Sequence, residues 1–353
     1  MTFSAVASHL AFAVLLAVLS AVTVRLMIAF PILDHPDARK AHVQPTPKGG
    51  GVGIVVAFIL GMAVLYGVAD FARIAERQFL GVVAAAVAIA LVALADDVRD
   101  FRFVVKLAAQ GLAALVAIGS GLVVQRLALP YVGLVDLGYL GVALTLFWIV
   151  ACTNAVNFMD GSDGLIGGSL FLACAILCVV AAGEHGWFVY ASSLFLAAGL
   201  AGFLPFNLHP ARIFMGDVGS QFLGFVMAVL AVAASRFDSV ALSFLIVPLL
   251  LLGLLFDTGF TLLRRAAMGE RISTPHRTHL YQMAVRSGVD VRAVAFVHWG
   301  FVLFNGALVA LFLHVGPLWK PLLVVPALAV QLAWLVYVVA RARRAGLSWQ
   351  AGG

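Results

Sequence analysis

Polar residues in this sequence come in bursts. Between them lie runs of about 20 apolar residues, the length a helix needs to cross the hydrocarbon core of a bilayer. Eleven runs are read from the chain, at approximately 8–30, 50–69, 78–95, 103–124, 137–152, 165–183, 187–204, 218–234, 240–263, 293–315 and 318–340. The pattern predicts an all-α polytopic membrane protein, one integral membrane unit over 1–353. An odd number of spans puts the two termini on opposite sides.

Composition excludes the soluble alternative. Of 353 residues 63% are hydrophobic and 11% charged, more apolar surface than one soluble core can hide. No Lys or Arg precedes the first run and no clear cleavage site follows it, so the run reads as a retained span rather than a signal peptide. Of the three cysteines, Cys174 and Cys178 sit four apart in an apolar run and read as helix packing. The net charge of +6 speaks of orientation and of anionic lipid or substrate; no nucleic acid is expected. Sixteen Lys and Arg residues fall on the side of the connections after the odd-numbered spans, and five on the other. The positive-inside rule places the sixteen in the cytoplasm, with the N-terminus periplasmic and the C-terminus cytoplasmic.

The unusual polar stretches all fall on that basic side. The run Pro205–Ser220 carries Asp217 between Gly216 and Gly219 at the mouth of a span. An acid there needs a cation, a partner or water. It holds a divalent metal or caps the following helix. In the first basic stretch, Arg39, Lys40, His42 and Lys48 surround Pro-Thr-Pro and three glycines, Gly49–Gly51. Glycines opening a helix can offer backbone N–H groups to a phosphate, and lipid headgroups are the other reading.

Asp96 and Asp97 end the third run, with Asp100 after them. Adjacent carboxylates repel unless a cation neutralises them. Neighbours on a helix point roughly 100° apart, so the two should serve different partners. The stretch Thr153–Leu165 holds Asn154, Asn157, Asp160 and Asp163 and no cation. That set suits hard oxygen coordination or a polar ligand, and it lacks the downstream Glu of an EF-hand. His276, Arg277 and His279 lie in the longest cytoplasmic connection, 264–292, where phosphate contact is the leading reading because no third metal ligand is near. Together these residue types suit a magnesium-bound nucleotide diphosphate with a lipid partner at the membrane boundary.

Five motifs, in order along nearly the whole chain, carry a resemblance. They are Arg39-Lys40-x-His42 through Pro47-x-Gly49-Gly50, Asp96-Asp97-x-x-Asp100, Asn154-Ala155-x-Asn157-x-x-Asp160-Gly161-x-Asp163-Gly164, Phe214-Met215-Gly216-Asp217-x-Gly219-Ser220, and the His-rich segment around His276. The chain resembles the polyprenyl-phosphate N-acetylhexosamine-1-phosphate transferases, the family that includes bacterial phospho-MurNAc-pentapeptide translocase. The resemblance implies transfer of a sugar-1-phosphate from a UDP-N-acetylhexosamine to undecaprenyl phosphate in the bacterial inner membrane, with Mg²⁺ or Mn²⁺. It implies Asp217 and Asn157 as metal ligands, Asp96 as the base for the lipid phosphate and Asp97 beside the phosphates, with Asp96, Asp97 and Asp217 as the catalytic set. Arg39, Lys40, His42, Lys48, Asn154, Asp160, Asp163, His276, Arg277 and His279 fall to substrate binding. A homodimer stays open.

One departure bears on the substrate. Many relatives carry a tighter run of three His residues in the last motif, whereas Tyr281-Gln282 follow His279-Leu280 here and the run is incomplete. This form is closer to the branch that initiates O-antigen and surface polysaccharides, which points to GlcNAc or a 6-deoxy HexNAc rather than MurNAc-pentapeptide. The rival class is a transporter or flippase, which predicts polar residues near the midplane, reachable from both sides.

Overall fold

The computed structural model describes residues 2–34, 46–69, 72, 74–129, 132–235, 242–272, 274, 276–316 and 318–349. The chain is helical almost throughout. In order come α1 (Phe3–Ala29), α2 (Gly51–Val68), α3 (Glu76–Arg99), α4 (Phe103–Gly119), α5 (Tyr139–Met159), α6 (Leu165–Gly183), α7 (Trp187–Asn207), α8 (Gly216–Ala234), α9 (Ile246–Leu250), α10 (Leu252–Ala267), α11 (Leu280–Arg286), α12 (Val291–His314) and α13 (Val324–Arg344). Two short antiparallel hairpins complete it. β1 (Ile32–Asp34) pairs with β2 (Thr46–Lys48), and β3 (Arg126–Leu129) with β4 (Gly133–Asp136).

Among the described residues nine helices are long and apolar enough to cross a membrane, so the protein is a polytopic membrane protein. Two of the eleven expected spans differ from the sequence reading. The fourth run is a shorter apolar helix, α4, ending at Gly119 ahead of Gly121, whose φ of 104° a side chain would resist. The run at 240–263 is broken. Pro248 sits in the first turn of α9, where a missing N–H costs nothing, and the helix resets at Leu251 (φ −90°, ψ 7°) between α9 and α10.

The core is organised on α8. Every residue from Val218 to Ala234 is buried, behind α2, α3, α5 and α7. Helices in a bilayer gain by close backbone approach rather than by hiding apolar surface from lipid, and small residues allow it. A Cβ on Gly224 would stand 2.7 Å from Cα of Thr153, so α5 and α8 touch backbone to backbone. By contrast α1 and α13 keep most of their apolar side chains exposed, as a lipid-facing rim does.

Candidate active site

Helix ends meet at one end of the bundle. The start of α8 is held from two directions. From α3, the Asp97 carboxylate accepts from the backbone N–H of Asp217 (3.1 Å) and of Val218 (3.0 Å). Those N–H groups are the unpaired donors of a helix N-terminus, where negative charge is favoured. From the first loop, Phe214 N–H donates to the Pro47 carbonyl at 2.8 Å, and Gly50 and Gly51 donate back to the carbonyls of Phe214 (3.0 Å) and Met215 (2.9 Å). The expectation that these glycines open N–H groups to a phosphate is therefore corrected at Gly50 and Gly51. Both donors are spent on the segment leading into α8, and the glycines serve close packing. A Cβ on Gly216, whose φ is 76°, would lie 2.8 Å from Asp97 Oδ2.

Asp96 and Asp97 do serve different partners. Asp96 is buried, accepts from Phe101 N–H at 2.6 Å, and binds Lys106 Nζ through Oδ2 at 2.6 Å. Lys106, on α4, also reaches Asp217 Oδ2 at 2.8 Å. One ammonium thus bridges carboxylates from α3 and α8. Lys48 Nζ stands 3.6 Å from Asp97 Oδ1. Asn157, on the last turn of α5, donates from Nδ2 to Asp217 Oδ1 and to Ser220 Oγ, both at 2.9 Å.

Behind this cluster runs a line of amides. Gln221 Nε2 donates to Asp217 Oδ2 at 3.2 Å, Gln110 Nε2 to Gln221 Oε1 at 3.1 Å, and Asn154 Nδ2 to Gln110 Oε1 at 2.5 Å. Asn154 therefore sits one turn behind Asn157, tied into the helix interface through Gln110.

A second group surrounds the α5–α6 turn. Asp163 Oδ2 binds His209 Nδ1 at 2.7 Å and accepts from Ala211 N–H at 3.1 Å. Asn207 ties the same two segments, accepting from Gly164 N–H at 3.1 Å and donating to the Ile213 carbonyl at 3.0 Å. Asp160 is the C-cap of α5 and half-buried. Arg212, which reads as buried in its apolar context, is exposed, with its guanidinium 5.0 Å from the Phe206 ring centroid.

The His segment is anchored from α10. Buried Asp257 accepts from His279 Nδ1 (3.1 Å), Leu280 N–H (2.9 Å) and Tyr281 N–H (3.0 Å), and so fixes the start of α11. The rings of His276 and His279 stack, with centroids 4.9 Å apart. They do so across a loop rather than along a helix face, because α11 begins only at Leu280. Burial first, then neighbouring His279, Arg265 and Arg264, push the His276 imidazole down to about 3, so it is neutral near pH 7. Tyr281 Oη donates to the Phe158 carbonyl at 3.3 Å, which brings this segment against the end of α5 beside Asn157. Arg277 is half-buried in the same segment.

Of the residues singled out from the sequence, Asp96, Asp97, Asp217, Asn157 and Lys48 meet in one cluster. Asn154 backs it, and Asp160, Asp163, His276, Arg277 and His279 flank the α5 end. Arg39, Lys40 and His42 lie outside the described residues. Four participants escaped the sequence reading as site residues: Lys106, Gln110, Gln221 and Asp257. Lys106 lies ten residues beyond Asp96 across a tight turn, with Asp100 in left-handed backbone (φ 51°), and only the turn geometry brings them together. Asp257 had a signal, as a lone acid within a long apolar run.

An acid cluster bridged by lysine at the ends of membrane helices belongs to a recognisable class. The glycosyl transferase family 4 profile matches residues 79–235. A decaprenyl-phosphate N-acetylglucosaminephosphotransferase of Mycolicibacterium smegmatis is 32% identical over 321 residues, 82% of this chain and 78% of its own. The chain belongs to the polyprenyl-phosphate N-acetylhexosamine-1-phosphate transferase family and is a glycosyl-1-phosphate transferase. A probable undecaprenyl-phosphate N-acetylglucosaminyl 1-phosphate transferase of Bacillus subtilis is 29% identical over 314 residues, 87% of this chain and 84% of its own. A phospho-N-acetylmuramoyl-pentapeptide-transferase of Leuconostoc mesenteroides is 33% identical over 195 residues, 52% of this chain and 61% of its own.

Proposed function

We propose that this protein transfers N-acetylhexosamine-1-phosphate from a UDP-sugar to undecaprenyl phosphate at the cytoplasmic face of the membrane, releasing UMP. The observation that carries the reading is the meeting of Asp96 and Asp217 around Lys106 beside Asp97 at one end of an apolar bundle. Fixed charges of both signs where a membrane helix ends suit a reaction between a lipid phosphate and a soluble diphosphate. Such a transfer needs positioning and charge neutralisation more than covalent help from the protein. The gathering of the carboxylates and their lysines at one end disfavours a transporter, which needs its charged site near the midplane. The excess of Lys and Arg in the same set of connections supports the cytoplasm for that end.

A magnesium ion fits the residues present. Among the described residues no three Asp, Glu, His or Cys side chains converge as a metal cage. Mg²⁺ does not require one, since it is commonly held by one or two carboxylates with substrate phosphates completing its shell. Asp217 and Asn157, with its carboxamide turned to present Oδ1, would hold it, and Mn²⁺ would fit the same oxygens. When bound, the metal supplies charge neutralisation for the diphosphate. Asp96 would take a proton from the lipid phosphate once Lys106 shifts from it. A lipid phosphate oxygen then forms its bond to the β-phosphorus as the bond from that phosphorus to the bridging oxygen breaks, and UMP leaves. Lys48, with Arg39, Lys40 and His42, would hold phosphates, and Asp160, Asp163 and the His276–His279 segment the nucleoside and sugar. The names of the Bacillus and Mycolicibacterium relatives support N-acetylglucosamine, and initiation of an O-antigen-like polysaccharide follows from the form of the His segment.

The test is purified protein with undecaprenyl phosphate, Mg²⁺ and a panel of UDP-sugars, reading UMP. Release with UDP-GlcNAc or a 6-deoxy HexNAc donor, abolished by EDTA, is expected. No UMP from any donor, in protein that remains folded, overturns the reading.

A further inference from the structure

The two histidines ahead of α11 are held in opposite hydrogen-bonding states. His276 Nδ1 lies 3.3 Å from the Thr278 backbone N and 3.0 Å from Thr278 Oγ1. A backbone N–H only donates, so Nδ1 of His276 is an acceptor and the hydrogen of the neutral ring sits on Nε2. Thr278 Oγ1 is itself fixed, accepting from Arg264 Nη2 at 2.7 Å. His279 is the reverse. Its Nδ1 faces Asp257 Oδ1 at 3.1 Å. The same carboxyl takes the N–H groups of Leu280 and Tyr281, which only donate, and the Thr261 hydroxyl at 3.3 Å. Such a set of donors favours the carboxylate. A carboxylate only accepts, so Nδ1 of His279 carries the hydrogen. The His279 and Phe158 ring centroids are 6.2 Å apart, which places this ring at the end of α5.

The difference decides what each Nε2 can do. In His276 it is a donor, and protonating that ring would break its bonds to Thr278. In neutral His279 it is an acceptor, whose lone pair repels an anionic oxygen. A proton turns it into a donor, with the Asp257 carboxylate behind it to balance the charge. The two rings stack 4.9 Å apart, where two cations would repel each other, so the pair favours one charge and not two. The other charged or titratable groups around them are Arg264 and Arg265 on α10, Arg277 in the same loop, Tyr281 on α11, Asp160 at the end of α5 and His298 on α12. Among the described residues only Asp257 forms an ion pair with His279. On the reading that this segment meets the nucleotide-sugar, we propose that Asp257 is the positioning residue of a proton-gated anion contact. His276 offers the ligand a constant hydrogen bond, and His279 offers a phosphate oxygen a charge-assisted one only after taking up a proton.

Nitrogen-15 spectra of the full-length protein with labelled histidine rings test this, the signals being assigned with His276→Gln and His279→Gln. In alkaline buffer His276 should carry its hydrogen on Nε2 and His279 on Nδ1. Adding UDP with Mg²⁺ should then protonate both nitrogens of His279 and leave His276 neutral. Binding gives a second readout. Measured against His279→Gln, which shares the titration of UDP itself, wild-type affinity for UDP should fall by up to about tenfold per pH unit as the ring loses its proton. Asp257→Asn should move that fall to lower pH by about one unit or more, which a loosened segment alone would not do. His276→Gln should weaken UDP about tenfold at every pH. The same tautomer in both rings, a His279 spectrum indifferent to UDP, or an undiminished pH slope in His279→Gln overturns the proposal. Spectra as expected from protein that releases no UMP with any donor would uphold the gated contact and count against the transfer reaction instead.

Discussion

Gly51 on α2 and Gly219 on α8 approach so closely that a Cβ on Gly51 would fall 2.2 Å from Cα of Gly219. Backbone cannot yield at that distance as the tip of a side chain can. Gly51→Ala should therefore separate the first loop from α8, with folded yield reduced and activity lost. Gly111→Ala, on α4, meets nothing within 4 Å and should behave as the parent. Size-exclusion profiles and thermal midpoints of the two variants check this.

Lys106 is the shared counter-ion of Asp96 and Asp217. Removing this half-buried cation leaves two facing carboxylates without their counter-charge. Lys106→Met should reduce UMP release by two or more orders of magnitude, a loss of roughly 3 kcal/mol in transition-state stabilisation. Lys106→Arg should keep the charge but misplace it, and fall between. Retention of full turnover by Lys106→Met would remove the lysine from the site.

Acid should weaken the His segment. The unfolded His276 imidazole takes its proton near 6.5, the folded one only near 3. Between those values the unfolded chain binds more protons, so this contribution to stability is complete above pH 6.5 and declines as pH falls towards 3. Thermal midpoints should drop between pH 7 and pH 5, and His276→Gln should flatten that dependence. An identical slope in the variant would assign the effect elsewhere.

Asp257 receives two backbone N–H groups and His279 Nδ1. An amide in its place turns one acceptor into a donor facing donors. Asp257→Asn should cost roughly 3 kcal/mol and loosen the start of α11. Trypsin should then cut at Arg271 or Arg277 faster than in the parent, and KM for the UDP-sugar should rise more than kcat falls. Unaltered proteolysis would mean that other contacts hold the segment.

Much of this arrangement was legible beforehand. Charge within a long apolar run is expensive enough to be rare, so Asp96, Asp97, Asp217 and Asn157 stood out without any structure. Nine of the eleven expected spans followed from the length of the apolar runs. What the string of residues concealed depends on direction. Gly49–Gly51 have the composition of an anion loop, and nothing local reveals that Phe214 and Met215 take up the Gly50 and Gly51 N–H groups. Lys106 looked like one more basic residue near an interface until the turn at Asp100 aimed it back. The break at Leu251 was masked because hydropathy does not register backbone direction, and the run is apolar on both sides of it.

The paired N–H groups that grip Asp97 join the third and eighth helices into one stiff strut. Neither can slide along the other without surrendering both bonds. Amide exchange should be slow at Asp217 and Val218.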